Sequence, residues 1–165
     1  MVKYMMTILT IASKQNERFL RTPVAPLAMA TLNKKELREA IRDMRETMVA
    51  AQGIGLAANQ VGLSIRLFVA LVESKFYAII NPEIIKQSKE ISDMEEGCLS
   101  IPGIYGDVPR PAEIVLSGYD KNGKRLKIKA SGLRARVFQH ETDHLNGILF
   151  IDKAKNFHEY RPDEK

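Results

Sequence analysis

His140-Glu141-Thr142-Asp143-His144 spells HExxH, and no other stretch constrains the fold of this chain so tightly. Leu133, Val137, His140 and His144 follow one another at spacings of four, three and four, the period of an amphipathic helix. Ser131 and Gly132 offer an N-cap for that helix, and Asn146-Gly147 a C-terminal stop. Both histidines then lie on the face that Leu133 and Val137 turn toward the core, one turn apart, where their imidazoles can reach one metal ion. The bland alternative is a pair of core histidines hydrogen-bonded to backbone. Two histidines and a carboxylate on an apolar helix make that costly, because each buried polar group needs a partner. A cation satisfies both histidines at once, and Glu141 beside the first can act as general base toward a metal-bound water.

The remaining ligand separates the known kinds of HExxH site. An extended HExxHxxGxxH motif is excluded, because Gly147 occupies the glycine position but Phe150 stands where the last histidine belongs. The segment after His144 is too short for a helical subdomain bringing in a later glutamate. Glu159 and Glu164 lie in a charged tail that reads as solvated, and His158 in the same tail is not expected to be a ligand. A ligand is therefore sought upstream. The only cysteine, Cys98, lies in Glu95-Glu96-Gly97-Cys98-Leu99-Ser100, ahead of a Ser-Ile-Pro-Gly turn. A lone cysteine is most often a small buried hydrophobe. At the end of an extended segment it is equally placed to add a thiolate to two imidazoles, leaving coordination open for water or substrate. With one cysteine no internal disulfide can form, which suits a reducing compartment.

EGCLS (Glu96 to Ser100) and QHETDHLNG (Gln139 to Gly147), with GIGLAANQVG from Gly53 to Gly62, resemble the three signature motifs of peptide deformylase, in that family's order and approximate spacing. The similarity runs from about Ile8 to Asp152. It implies removal of the formyl group from the N-terminal formylmethionine of new bacterial and organellar proteins. It also implies that Cys98, His140 and His144 bind the metal and that Glu141 is the general acid and base. The Gln60 amide and the Leu99 backbone N–H would stabilise the oxyanion. Gly55 and Ile54 would meet the substrate backbone, and Leu133 and Val137, sharing the metal face with His140, would accept the methionine side chain. Two imidazoles and a thiolate suit zinc, iron, nickel or cobalt; the resemblance favours ferrous iron in the cell, with Zn2+, Ni2+ or Co2+ in purified protein. The alternatives carried forward are a general metallopeptidase and a non-enzymatic or altered-specificity formyl-peptide-binding relative.

Around these motifs several residues stay open. Gly53 and Gly55 could merely end the preceding helix, and GIGLAAN lacks the Lys-Ser/Thr of a phosphate loop. Glu96 is placed to brace a ligand side chain through a hydrogen bond or ion pair whose partner the sequence does not name. Arg136, one turn before His140, reads as an arginine whose stem packs while its head reaches solvent; pairing with a substrate group or a nearby carboxylate is the alternative. The chain departs from the resembled pattern at Asn59, at Tyr105, which falls near a position often held by a substrate-contacting arginine, and in the absence of a long C-terminal helix implicated in ribosome docking.

At 165 residues the chain reads as one catalytic domain, 1–165. Its 45% hydrophobic and 27% charged residues describe an ordinary soluble protein, with no run long enough for a membrane span. Met1 to Ala12 reads as part of the mature fold rather than a signal peptide, and any organellar transit segment as absent or removed. A bacterial-type cytoplasmic or organellar setting is expected. Leu37, Ile41, Met44 and Met48 predict a helix over 34–52, with Asn33 and Glu36 as a capping box. Strands are expected over 66–72 and 76–80, the second ended by Asn81-Pro82, with a weaker one over 84–91. Another pair, 113–119 and 125–130, flanks the hairpin turn Asp120-Lys121-Asn122-Gly123. Together these predict an α+β fold of small mixed or antiparallel sheets around a central C-terminal helix bearing HExxH. The net charge of +5 includes Lys121, Lys124, Arg125, Lys127 and Lys129 around that hairpin. A solvated surface is the plain reading and attraction to ribosomal RNA the sharper one; neither DNA nor membrane is an expected partner.

Overall fold

The turn chemistry of Asp120-Lys121-Asn122-Gly123 closes a hairpin as the sequence predicts. The Asp120 carboxylate accepts from the Asn122 and Lys124 backbone N–H groups at 2.9 and 2.8 Å. This joins β6 (Glu113–Tyr119) to β7 (Arg125–Ser131) in strict antiparallel register. In this computed structural model, which describes residues 5–31 and 33–160, the hairpin forms one edge of a five-stranded sheet. With β1 (Gly55–Ala57), β2 (Leu67–Val72) and β3 (Lys75–Gln87) the order is β1-β2-β3-β6-β7. A smaller sheet contains β4 (Ile91–Cys98), β5 (Ile101–Pro111) and β8 (Lys155–Glu159), in order β4-β5-β8. Every pairing is antiparallel, so the mixed option is not realised.

Three helices complete the described fold: α1 (Lys14–Leu20), α2 (Lys34–Ala50) and α3 (Gly132–Leu145). The side chain of Asn33 caps α2 by accepting from Lys35 and Glu36 N–H. Leu37, Ile41, Met44 and Met48 are all buried on its inner face, as their spacing requires. The alternation of β2 sorts its side chains onto two faces of the large sheet. Leu67 and Val69 pack with α2, whereas Phe68, Ala70 and Val72 pack with α3. Phe138 of α3 meets Phe68 and Tyr77 at ring separations of 5.6 and 5.1 Å. Truncating such a ring to alanine typically costs about 3–5 kcal/mol. A third cluster, with Leu20, Ile101, Val108, Leu149 and Phe150, joins α1 and β5 to the turn after α3.

Several expectations are corrected. Asn81-Pro82 does not end a strand, because β3 passes through it in a bulge between Ile80 and Glu83. Asn81 takes φ +49, its N–H donates to the Arg66 carbonyl, and its side-chain amide both donates to and accepts from the Leu27 backbone, holding the bulge in place. The proposed 84–91 strand is accordingly divided: Ile84–Gln87 ends β3, and Ile91 opens β4. The Ser-Ile-Pro-Gly segment is mostly strand, since β5 starts at Ile101. The residue in the left-handed region after α2 is Gln52, not Gly53. The tail is also more ordered than expected. It adds β8 to the edge of β5 with its side chains exposed, Glu159 among them; Glu164 lies outside the described residues.

The N-terminal strap belongs to the fold. Met6 N–H donates to Thr47 Oγ1, Leu9 N–H to Gln60 O and Ile11 N–H to Ser100 O. Met1–Tyr4 lie outside the described residues. At the far end of α3, Gly147 (φ +73) turns the chain where a Cβ would strike the Arg21 carbonyl, so glycine is required there.

Candidate metal centre and active-site cleft

His140 and His144 leave α3 on the same side because they are four residues apart, and their Nε2 atoms lie 3.2 Å from each other. Cys98 arrives from the other sheet, where the β4–β5 ladder shifts register between Gly97 and Cys98 and turns tightly back to Ile101. Its Sγ is 3.3 Å from His144 Nε2, and one ligand atom from each of the three residues lies within 4.8 Å of the others. Of the two readings of the lone cysteine, the position of the sulfur beside two imidazoles matches the one that groups it with them.

The donor set fits a cation. His140 Nδ1 is bound to Glu96 Oε2 at 2.8 Å, a contact that orients the ring with Nε2 toward Cys98 and His144. Burial and the neighbouring His140 hold His144 well below the usual imidazole range, so its Nε2 also stays a ligand. One ligand atom from each of the three residues faces the same point, an arrangement that a shared cation would hold. One sulfur and two nitrogens are the set that zinc and the neighbouring divalent transition metals accept.

Glu96 is the hub behind this triad. Arg110 on β5 donates to it through Nε at 2.6 Å and Nη2 at 3.0 Å, and Arg136 donates through Nη1 at 3.0 Å. Burial alone would raise the Glu96 carboxyl, but the bonds from His140 and Arg110 outweigh it and hold the group well below the usual carboxylate range. Arg110 reaches on to Asp143 Oδ2 at 2.6 Å, and Lys153 meets the same oxygen at 2.7 Å. The head of Arg136 therefore does not reach solvent. It is 5% exposed and paired with the nearby carboxylate. Arg110 and Lys153 were not visible as site residues, since nothing local marks them. The only signal was an arginine two positions from Val108 on the buried parity of a strand.

A cavity of about 540 Å³ opens beside the triad. Cys98, His140, Glu141, Gln60, Leu99, Gly55, Ile54, Leu133 and Val137 all line it, while His144 sits behind them at 1% exposure. Leu133 belongs to the cavity wall rather than the core, being 42% exposed. Ile54 is similarly exposed at the rim, and Tyr105 lines the cavity as well. Glu141 is buried with Oε2 unpartnered, and burial pushes its carboxyl up to about 7. Gln60 is held from both ends. Its Oε1 accepts from Ala57 N–H at 2.8 Å, while Nε2 donates to Ser100 Oγ at 3.1 Å and lies 3.5 Å from Cys98 Sγ. Asn59 donates to the His144 carbonyl at 2.7 Å, tying the first glycine-rich segment to the motif helix. His158 is not brought to the triad; it pairs with Glu95 at 3.1 Å and stacks on Tyr105.

Two imidazoles and a cysteine sulfur around one point, with a raised carboxyl in the same cleft, define the chain as an HExxH metallohydrolase in its site chemistry. Residues 6–160 match the family model for polypeptide deformylase, and the chain belongs to that family. It is 48% identical over 130 residues to peptide deformylase 2 of Prochlorococcus marinus; the match covers 76% of this chain and 65% of the relative. The crystal structure of peptide deformylase from Thermotoga maritima superposes with a TM-score of 0.85 at 38% identity, covering 93% of this chain and 99% of that one. The Met-Ala-Ser-bound class I type b peptide deformylase from Acinetobacter baumannii also gives 0.85, at 30% identity, covering 92% and 99%. No helix among the described residues is long and apolar enough to cross a membrane.

Proposed function

We infer that this chain is a metal-dependent peptide deformylase, hydrolysing the N-formyl group of N-terminal formylmethionine on newly made proteins and releasing formate. The observation that carries the reading is the convergence of Cys98, His140 and His144 on one point at the wall of a cleft that also holds Glu141 and Gln60. Cys98, His140 and His144 would hold a divalent cation, which when bound supplies Lewis-acid polarisation and a more acidic water. Every other part of the chemistry belongs to the chain. Glu141, with its carboxyl near neutrality, takes a proton from the attacking water and returns one to the leaving amine. Gln60, fixed with Nε2 toward Cys98, donates to the oxygen that gains charge, together with the Leu99 backbone N–H. The bare backbone at Gly55 and the rim at Ile54 admit the peptide main chain. Leu133 and Val137 offer the apolar wall for the methionine side chain.

Ferrous iron is the cation we assign in the cell, held by a thiolate that a reducing cytoplasm preserves. Nascent formylmethionyl peptides are the partner, and the whole chain works as one catalytic domain. The exposed hairpin lysines from Lys121 to Lys129 are the surface for any attraction to ribosomal RNA; salt-sensitive cosedimentation with ribosomes would support it.

Formate release from formyl-Met-Ala-Ser tests the function. Release by the metal-loaded protein that disappears in Glu141→Ala, while metal stays bound, is the expected result. Cleavage of internal bonds in unformylated peptides without formate release would replace this reading with a general peptidase, and peptide binding with neither product would leave only a binding protein.

A further inference from the structure

The metal ligands are divided between two bodies. His140 and His144 ride on α3, whose apolar residues pack against the five-stranded sheet. Cys98 ends β4 of the three-stranded sheet. The cleft lies between these bodies and is lined from both, by Leu133 and Val137 on one side and by Gly97 and Tyr105 on the other. Apolar contacts among Ile101, Val108, Leu149 and Phe150 join the bodies beyond the C-terminal end of α3; one turn before His140, polar bonds cross between them. Arg136 provides them from the helix. Its Nη2 donates to the Ser92 carbonyl on β4 at 2.6 Å, and its Nη1 donates to the Val108 carbonyl on β5 at 2.6 Å and to Glu96 at 3.0 Å. The Arg110 guanidinium crosses in the opposite direction, from β5 to the carboxylates of Glu96 and of Asp143 on α3.

We propose that Arg136 is a positioning residue that sets the distance between the Cys98 sulfur and the two imidazoles by clasping the motif helix to both strands of the cysteine-bearing hairpin. The planar guanidinium suits this work, since its fixed fork of donors addresses acceptors on two strands simultaneously. The proximity of its stem to the cavity is a consequence. The head is drawn backward to Glu96, so the arginine lines the methionine-side wall without placing a free charge there.

The inference rests on the metal-binding reading above, and Co2+ titration of the metal-free full chain tests the two separately. The readouts are the dissociation constant and the thiolate-to-cobalt and d–d absorption bands. In Arg136→Met the dissociation constant should rise by roughly 10–100-fold, as for other residues that orient ligands, with shifted bands. Arg134→Met removes the same charge from a partly exposed neighbour on the same helix and should match wild type. Arg136→Lys keeps the charge but not the fork, and should fall between wild type and the methionine variant. Wild-type affinity and bands in both Arg136 variants would overturn the proposal. If the methionine variant does not fold, Arg136→Lys decides alone, and an affinity within twofold of wild type overturns it. A wild-type protein that takes up no Co2+ would instead overturn the metal reading itself.

Discussion

Gly55 and Glu141 occupy adjoining space: a Cβ built at position 55 would fall on the Glu141 carboxylate. The glycine of the first motif thus leaves room for the carboxylate of the third.

Gly55→Ala should therefore displace the Glu141 carboxylate by a fraction of its own width. Misplacement of about 1 Å commonly costs on the order of 10²-fold in rate. We expect kcat for formate release to fall by roughly that factor. Thermal unfolding should shift little, because the clashing atoms are the far end of a side chain. Unchanged kcat would show that the acid does not act from its observed place.

Gln60→Leu removes the donor beside Cys98 and also the acceptor for Ala57 N–H. Under the oxyanion role proposed for Gln60, its loss should lower kcat by about 10²–10³-fold. The unpartnered Ala57 N–H should cost about 1–3 kcal/mol of stability. Steady-state kinetics and denaturant unfolding separate the two effects. A variant with a raised KM and intact kcat would place Gln60 in substrate binding alone.

Chelating the metal should destabilise the fold as well as abolish activity, since the ligands come from both sheet systems. At about a thousandfold excess of free metal over its dissociation constant, linkage contributes about 4 kcal/mol, or roughly 8–16 °C in Tm for a chain of this size. Calorimetry with and without chelator measures it. Identical melting in both conditions would mean that the triad does not bind metal in the folded state.

Acid sensitivity can be assigned at one pair away from the cleft. Arg21 Nη1 donates to both Asp152 oxygens at 3.1 and 3.0 Å, and Leu149 N–H donates to Oδ2 at 3.0 Å. Burial pushes Asp152 up, but the Arg21 and Leu149 bonds more than offset it and hold the carboxyl below the usual 3.8. A carboxyl lowered in the folded state stabilises above its unfolded value, and that contribution is lost as pH falls through the folded value. Wild type should thus lose more stability than Asp152→Asn between about pH 5 and pH 2. The difference should be roughly 0.2–1 kcal/mol, because both side chains are one-third exposed and screened. Parallel pH-dependent melts would refute the assignment.

What could be read from the chain alone was whatever is encoded locally. The period of Leu133, Val137, His140 and His144 determined a helix with both imidazoles on one side, and the Asp120–Gly123 turn determined its hairpin, because helix period and turn chemistry depend on near neighbours. The resemblance of three motifs pointed to one cleft; nine of its ten residues line the same cavity, and His144 lies buried behind them. Long-range contacts decided the rest. Whether Asn81-Pro82 ended a strand depended on distant contacts: the Asn81 side-chain amide bonds both backbone groups of Leu27, fifty-four positions away, and its N–H donates to the Arg66 carbonyl. Whether Arg136 faced water or Glu96 depended on two strands folding over its head. Leu133 shares its helical face with buried Val137, yet it lines a cavity because the opposing sheet stands off at that point. A side chain's own sequence sets which way it points; only the assembled chain sets what it meets, and burial makes that encounter the larger energy.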